Sequence, residues 1–371
     1  MADITSLQRV NQLLAFEEPD RIACADAYWE DTLARWRQEG LPQDTAPSDY
    51  FGFDFDWIYM DASLRLPEKL LEETAEYSVR QDKHGFVAKQ WKGRAGAIGY
   101  LQQAVNDRGD WDLLKERLVA DEQEPSRIHT ISYFEPFVTY PSWQEMADTF
   151  AELRGRQHYV LLAVYGPHEA NWRKHGFEQT LMDMVMDPGL LEDMSRAHVD
   201  LVIQSLEIAR SYGIQPDGLF MVEDLGMNTG LQFSPKSYEA VLFPHHRRLG
   251  DYLRRHGIHY FIHTDGDIRR LIPRLIDAGV QVLQPLEARA GLDVGKLKAE
   301  YGRSLAYMGN ISVEKMSGSP AELEKEVRSK LAAAMPGGGY LYHSDHSVPP
   351  TVSFDAYQYL MALLRQYGSY A

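Results

Sequence analysis

Eight runs of this chain are almost continuously apolar, and that excludes most folds. They are "RIACADAYW" (21–29), "FDFDWIYMDA" (53–62), "YVLLAVYG" (159–166), "GLFMVED" (218–224), "HYFIHTD" (259–265), "VQVLQPLE" (280–287), "SLAYMGN" (304–310) and "YLYHSDH" (340–346). A strand with one wet face alternates apolar and polar residues, and these do not. Such runs mark strands covered on both faces, as in parallel sheets overlaid by crossover helices. The segments between them carry helix signals. "FSPKSYEAVLFPHHRRLGDYLRRHG" opens with Ser234 as N-cap and Pro235 at the first helical position, and it stops at Gly257. "DIRRLIPRLIDAGV" stops at Gly279 in the same way. Strand–helix repetition with eight strands predicts an α/β chain folded as a (β/α)8 TIM barrel, a single domain over 1–371 with an N-terminal helical extension. Region 63–158 breaks the rhythm. Its stretch "YSVRQDKHGFVAKQWKG" (77–93) reads as a hairpin turning at "DKHG", so an insertion within the barrel is expected.

Charge narrows the partners. The formal net charge of the 371 residues is -16. A surface this acidic repels phosphate backbones, so neither nucleic acid nor an anionic membrane is an expected partner. The one cysteine, Cys24, permits no disulfide within the chain and no cysteine-rich zinc site; its apolar context predicts a small core residue. No apolar stretch approaches the ~20 residues of a spanning helix. The opening "MADITSLQRV" lacks a basic-then-apolar signal pattern, so a cytoplasmic protein is expected.

In TIM barrels chemistry sits at the C-terminal ends of the strands. Here those ends hold Asp61, Tyr165, Glu223, Asp224, His263, Asp265, Glu287, Asn310, Asp345 and His346. Carboxylates and imidazoles gathered at one rim are costly to bury unless paired or bound. His263 and Asp265 stand two apart, so both side chains face the same way on a strand. Imidazole and carboxylate suit Zn²⁺, Fe²⁺ or Mn²⁺, and His346 is the candidate third ligand. A plainer alternative has Asp265 capping the next helix and His263 hydrogen-bonded in the core. Glu223, Asp224 and Asp61 are the candidate catalytic carboxylates, placed to move a proton or orient a substrate. Tyr165, Glu287, Asn310 and Asp345 are candidate substrate contacts, with Glu169 and Trp172 of "HEANWRKHG" beside them, Trp172 closing the pocket by stacking. "PGGGY" (336–340) precedes a strand and lacks the following Lys-Ser/Thr, so it is a turn and not a phosphate loop.

The motifs "EPDRI", "FDFDWIYMD", "SPKSYEAVLFP", "HTDGDIRRLIPRLIDAGVQVLQPLE", "YMGNIS" and "PGGGYLYHSDHSVPP" give the chain a resemblance to the uroporphyrinogen decarboxylase superfamily. That group includes the decarboxylase and zinc-dependent methyltransferases that act with corrinoid proteins. The resemblance implies the same barrel and, from family habit, a homodimer. The decarboxylase has an Arg-Gln-Ala-Gly-Arg signature for substrate carboxylates; here the matching stretch is "YWEDT" (28–32), with Tyr28 and Thr32 at the arginine positions. Asp61 matches the family's pyrrole-binding aspartate and His346 its C-terminal histidine. In the methyltransferases zinc sits on His-x-Cys and a later cysteine. His263 matches the first ligand, while Asp265 and His346 stand where the cysteines would be. The resemblance therefore implies a Zn²⁺ or other divalent metal on His263, Asp265 and His346, and a corrinoid carried by a separate protein. Oxygen and nitrogen ligands make a harder Lewis acid than thiolates. The expected reaction is a corrinoid-linked methyl transfer, an O-demethylation of a small methoxylated substrate. The alternative is a metal-independent decarboxylase or lyase acting on a small acid.

Overall fold

Among the described residues, eight strands and the segment 21–29 pair around one axis or at its rim, and six more strands make two small antiparallel sheets. The computed structural model describes residues 4–93, 98–132 and 135–370. In chain order the strands are β1 (Phe55–Met60), β2 (Lys69–Glu73), β3 (Tyr77–Gln81), β4 (Val87–Trp91), β5 (Ile98–Gln102), β6 (Ile128–His129), β7 (Tyr159–Tyr165), β8 (Gly218–Val222), β9 (Gly226–Met227), β10 (Gly230–Leu231), β11 (His259–His263), β12 (Val282–Gln284), β13 (Ala306–Met308) and β14 (Tyr340–Leu341). The main sheet runs β14-β13-β12-β11-β8-β7-β1-β6. All its pairings are parallel except β1 with β6.

The first apolar run, 21–29, closes the ring. Cys24 and Tyr28 make parallel bridges to Tyr342 and Val348. The Ala25 amide donates to the Tyr342 carbonyl (3.1 Å), and the Tyr342 amide donates to Ala23 (2.8 Å). On its other side the Asp54 amide donates to the Cys24 carbonyl (2.9 Å). All eight runs read from the sequence thus supply the eight parallel staves of a TIM barrel. Cys24 is buried, and burial pushes its thiol up to about 12.

Two apolar cores explain why the runs do not alternate. Leu161, Ala163, Phe220, Phe261, Val282, Ala306, Met308 and Leu341 fill the barrel interior. Their strand neighbours Leu162, Leu219, Met221, Ile262, Leu283, Tyr307 and Tyr340 pack outward among the helices. Parity along a strand therefore says which way each end residue points.

Some boundaries differ from the sequence expectation. The stretch from Ser234 is two helices, Pro235–Val241 and Phe243–Arg255. Pro244, at the start of the second, has no amide hydrogen to carry the first ladder onward. The helix after "HTDGD" begins only at Ile272, with Pro273 in its first turn. The three glycines of "PGGGY" have φ of 77°, 68° and 75°, as a tight turn requires.

The expected hairpin is present as β3 and β4, the centre of an antiparallel sheet ordered β2-β3-β4-β5. Its turn, Asp82–Gly85, is buried against the barrel: Lys83 and His84 are 6% and 3% exposed. Gly85, at φ 88°, leaves no room for a side chain beside Leu66 and Ala104. The expected insertion at 63–158 includes 94–97 and 133–134, which lie outside the described residues. Among the described residues no helix is long and apolar enough to cross a membrane.

Candidate active site

Register builds the barrel mouth. Tyr165 pairs with Val222, Val222 with His263 and His263 with Gln284, so these four ends lie side by side. Parity from Phe261, Val282 and Leu341 turns His263, Gln284 and His343 inward.

The His263 ring is held from behind. Its Nδ1–H donates to Gln284 Oε1 (2.5 Å), and Nε2 stands 3.6 Å from Asp224 Oδ1. Asp224 Oδ1 also accepts the Asp265 amide (2.9 Å), which ties the ends of β8 and β11 together. One ligand atom each from Asp224, His263 and Asp265 falls within 4.8 Å of the others. His346 Nε2 lies 3.7 Å from Asp265 Oδ2 and its ring leans toward Trp29 (6.1 Å). Asp265 Oδ1 is buried with no hydrogen-bond partner among the described residues. A buried, unpartnered carboxylate oxygen facing a second carboxylate and an imidazole fits a cation. Burial lowers the His263 pKa, but Asp265 and Asp224 outweigh it and the net shift is upward. Burial raises that of Asp265.

"HTDGD" needs its glycine for close packing. A Cβ on Gly266, at φ 83°, would meet the backbone of Gly226 and Met227 at 2.4 Å. Glu287 secures the same turn, accepting the Gly266 amide on Oε2 (2.8 Å) while Arg289 pairs with Oε1.

Several candidate residues are consumed by the scaffold. Glu223 points out of the barrel. Its Oε1 accepts the His168 amide (3.0 Å) and His246 Nε2–H (2.9 Å), and its Oε2 accepts the Glu169 amide (3.1 Å). It is a cap for the helix Pro167–His175, not a reacting group. Asn310 uses every polar atom. Its Oδ1 accepts from the Val294 amide and Lys330 Nζ, and its Nδ2 donates to the Leu286 and Leu292 carbonyls. Asp345 accepts the amides of Ala288 (3.1 Å) and Val313 (2.8 Å), and burial raises its pKa to about 6. Those two side chains fix loops rather than meet a substrate.

Asp61 lies across the mouth from the histidines, fully buried among cations. Arg65 Nε is 2.9 Å away, and Lys83 and Arg127 are each at 3.8 Å. Burial raises its pKa, but Lys83, Arg127 and Arg65 outweigh that and hold it well below the usual carboxylate range. It is therefore a fixed anion, unable to trade a proton near neutrality. Glu169 is buried, bonded to Arg173 (3.1 Å), and burial raises its pKa to about 7. Tyr165 carries Arg173 4.0 Å above its ring. Trp172 packs edge-on to Tyr100 of β5 (5.4 Å), joining its helix to the inserted sheet. Gln284, His343, Arg65, Lys83, His84 and Arg127 are additional site residues that the sequence did not single out. Strand parity would have exposed Gln284 and His343; the other four depend on how the insertion docks.

Among curated proteins, none matches this chain in sequence. Among solved structures, a methyltransferase from Methanosarcina mazei is similar over 98% of this chain and 99% of that one, with a TM-score of 0.66 and 14% identity. At that identity the likeness concerns the fold. A B12-independent methionine synthase from Shewanella sp. W3-18-1 aligns over 60% of this chain and 65% of its own, with a TM-score of 0.35 and 12% identity, too loosely to bear on the fold. The family model described as uroporphyrinogen decarboxylase (URO-D) matches residues 170–367, more than half of the chain. With the barrel closed by all eight staves and that match across its C-terminal half, the chain belongs to the uroporphyrinogen decarboxylase family.

Proposed function

We propose that this chain takes a methyl group from a small methoxylated compound and passes it to a corrinoid on a separate protein. A divalent metal, Zn²⁺ foremost, would be held by His263 and Asp265 with His346, and Asp224 joins that set. The observation that carries this reading is the Asp224–His263–Asp265 constellation with its unpartnered Asp265 oxygen. A bound divalent ion supplies Lewis acidity toward an ether oxygen, and a nitrogen and oxygen ligand set makes it a hard one.

The chain's own groups do the rest. Gln284 fixes the His263 ring through Nδ1, leaving Nε2 toward the carboxylates. Glu169, at about 7, still carries its proton at neutral pH for part of the time. It lies within electrostatic reach of His263 and Asp224. A reduced corrinoid, when bound, would supply the electron pair for the methyl carbon. Glu169 would give its proton to the oxygen released as the C–O bond breaks. Asp61 orients charge but moves no proton. That immobility removes Asp61 from the acid–base groups of a metal-independent lyase, which would be left with Asp224 and His346.

The test is metal content. Protein purified without chelator, or reloaded with Zn²⁺ and desalted, should hold about one equivalent per chain. His263→Ala and Asp265→Ala should each lose it. Reloaded protein that retains no metal would sink the reading.

A further inference from the structure

We propose that the buried tip of the inserted hairpin is a carboxylate seat, so the substrate is a small organic acid anchored by its anionic end at Lys83. This deepens the reading of the barrel mouth as the substrate site and rests on it.

Three cations surround Asp61, and among the described residues Lys83 has the fewest close acceptors. Arg65 donates to Asp61 through Nε and to the Pro125 and Ser126 carbonyls through its terminal nitrogens. Arg127 donates to the carbonyls of Val119, Asp61, Ser63 and Arg117. Arg65 thus places three of its five N–H groups and Arg127 four, all on the scaffold. Lys83 is buried with an ammonium that has three protons to place. Among the described residues its acceptors are the Tyr140 hydroxyl at 3.4 Å and, further off, Asp61 Oδ1 at 3.8 Å. Three positive charges facing one carboxylate leave this corner positive in a chain whose net charge is -16. A buried ammonium without a close acceptor is costly, and an incoming carboxylate removes that cost.

The next residue supplies a second open group. His84 is 3% exposed and its Nδ1 has no hydrogen-bond partner among the described residues. Its ring meets Tyr165 of β7 edge-on at 5.9 Å, which places the turn over the barrel strands. Lys83 Nζ, His84 Nδ1 and the Tyr140 hydroxyl are thus contributed around one corner of the mouth. Rings continue from there toward the metal-binding candidates. Tyr140 meets His129 at 5.4 Å and His129 meets Tyr59 at 6.5 Å. Trp57, two along from Tyr59 on β1, meets Phe220 at 5.0 Å, and Phe220 meets His263 at 6.0 Å. The mouth therefore has an anion-seeking end, an aromatic floor and a cation-seeking end. A flat acid with its reacting oxygen away from its carboxylate fits that order.

The test compares 4-methoxybenzoate with neutral methoxybenzene by calorimetry and by quenching of tryptophan fluorescence. It uses the metal-loaded full chain, Lys83→Met, Lys83→Arg and His263→Ala. Lys83→Met is close in volume and removes only the charge. The acid should bind wild type tighter than the neutral ether, Lys83→Met should cost it roughly tenfold or more, and Lys83→Arg should restore part of that. His263→Ala should lose metal yet keep the Lys83-dependent binding, which separates this proposal from the metal. Equal binding of acid and ether, no binding of the acid, or acid binding that survives Lys83→Met would each overturn it.

Discussion

Glu223→Gln separates a scaffold carboxylate from a catalytic one. The two oxygens of Glu223 receive three donors: the amides of His168 and Glu169, and His246 Nε2–H. A glutamine offers one acceptor and one amino group. Whichever way it turns, its NH₂ faces a main-chain N–H in the first turn of the helix Pro167–His175. One buried amide is orphaned, at ~1–3 kcal/mol. The full negative charge at that helix N-terminus is also lost, at ~0.3–2 kcal/mol. The sum is about 1–5 kcal/mol of folding stability. Urea titration followed by circular dichroism reads it directly as a lower midpoint at unchanged slope. Metal content should not change, because Glu223 faces away from Asp224 and His263. A stability loss below about 0.5 kcal/mol, the range of an ordinary surface change, would refute the capping argument. So would a collapse of activity at unaltered stability.

Lys174 and Gln284 give two further outcomes. Burial pulls the Lys174 pKa down to about 7 from its ordinary 10.5, although its ammonium donates to the Ala170 carbonyl. Between those values the unfolded chain binds a proton that the native chain does not, so stability should rise as pH climbs from 7 toward 10.5. Lys174→Met should flatten that rise and be the more stable protein at pH 7; denaturation at several pH values with an unchanged slope would contradict it. Gln284→Leu removes the partner that orients His263 and should weaken Zn²⁺ binding by roughly 10–100-fold, measured by competition with a chromogenic chelator. Undiminished affinity would mean that the ring needs no support from behind.

The barrel was legible because burial on both faces leaves a direct mark on composition. The polar residues at the strand ends were legible for the same reason, since few polar residues interrupt the runs before them. Which of two adjacent polar residues faces the mouth was harder. Glu223 and Asp224 look alike in "VED", yet parity from Phe220 and Val222 sends the first outward and the second to the rim. The same count brings His343 inward beside Gln284, while the later His346 reaches Asp265 from the loop beyond. Asn310 and Asp345 misled because loops need buried acceptors and donors as much as substrates do. Lys83 and His84 were out of reach. Their place depends on a four-stranded sheet folding back over the barrel, and no local pattern records where that sheet lands.

The stave at 21–29 has a consequence for how the molecule is made. Its carbonyls and amides find their partners on Tyr342, at the far end of the chain. During synthesis that early segment must wait, its edge uncovered, until nearly every other stave has emerged. Contacts so distant in sequence make ring closure a late and slow event. The open seam is then the place where a nascent chain is most exposed to a wrong neighbour.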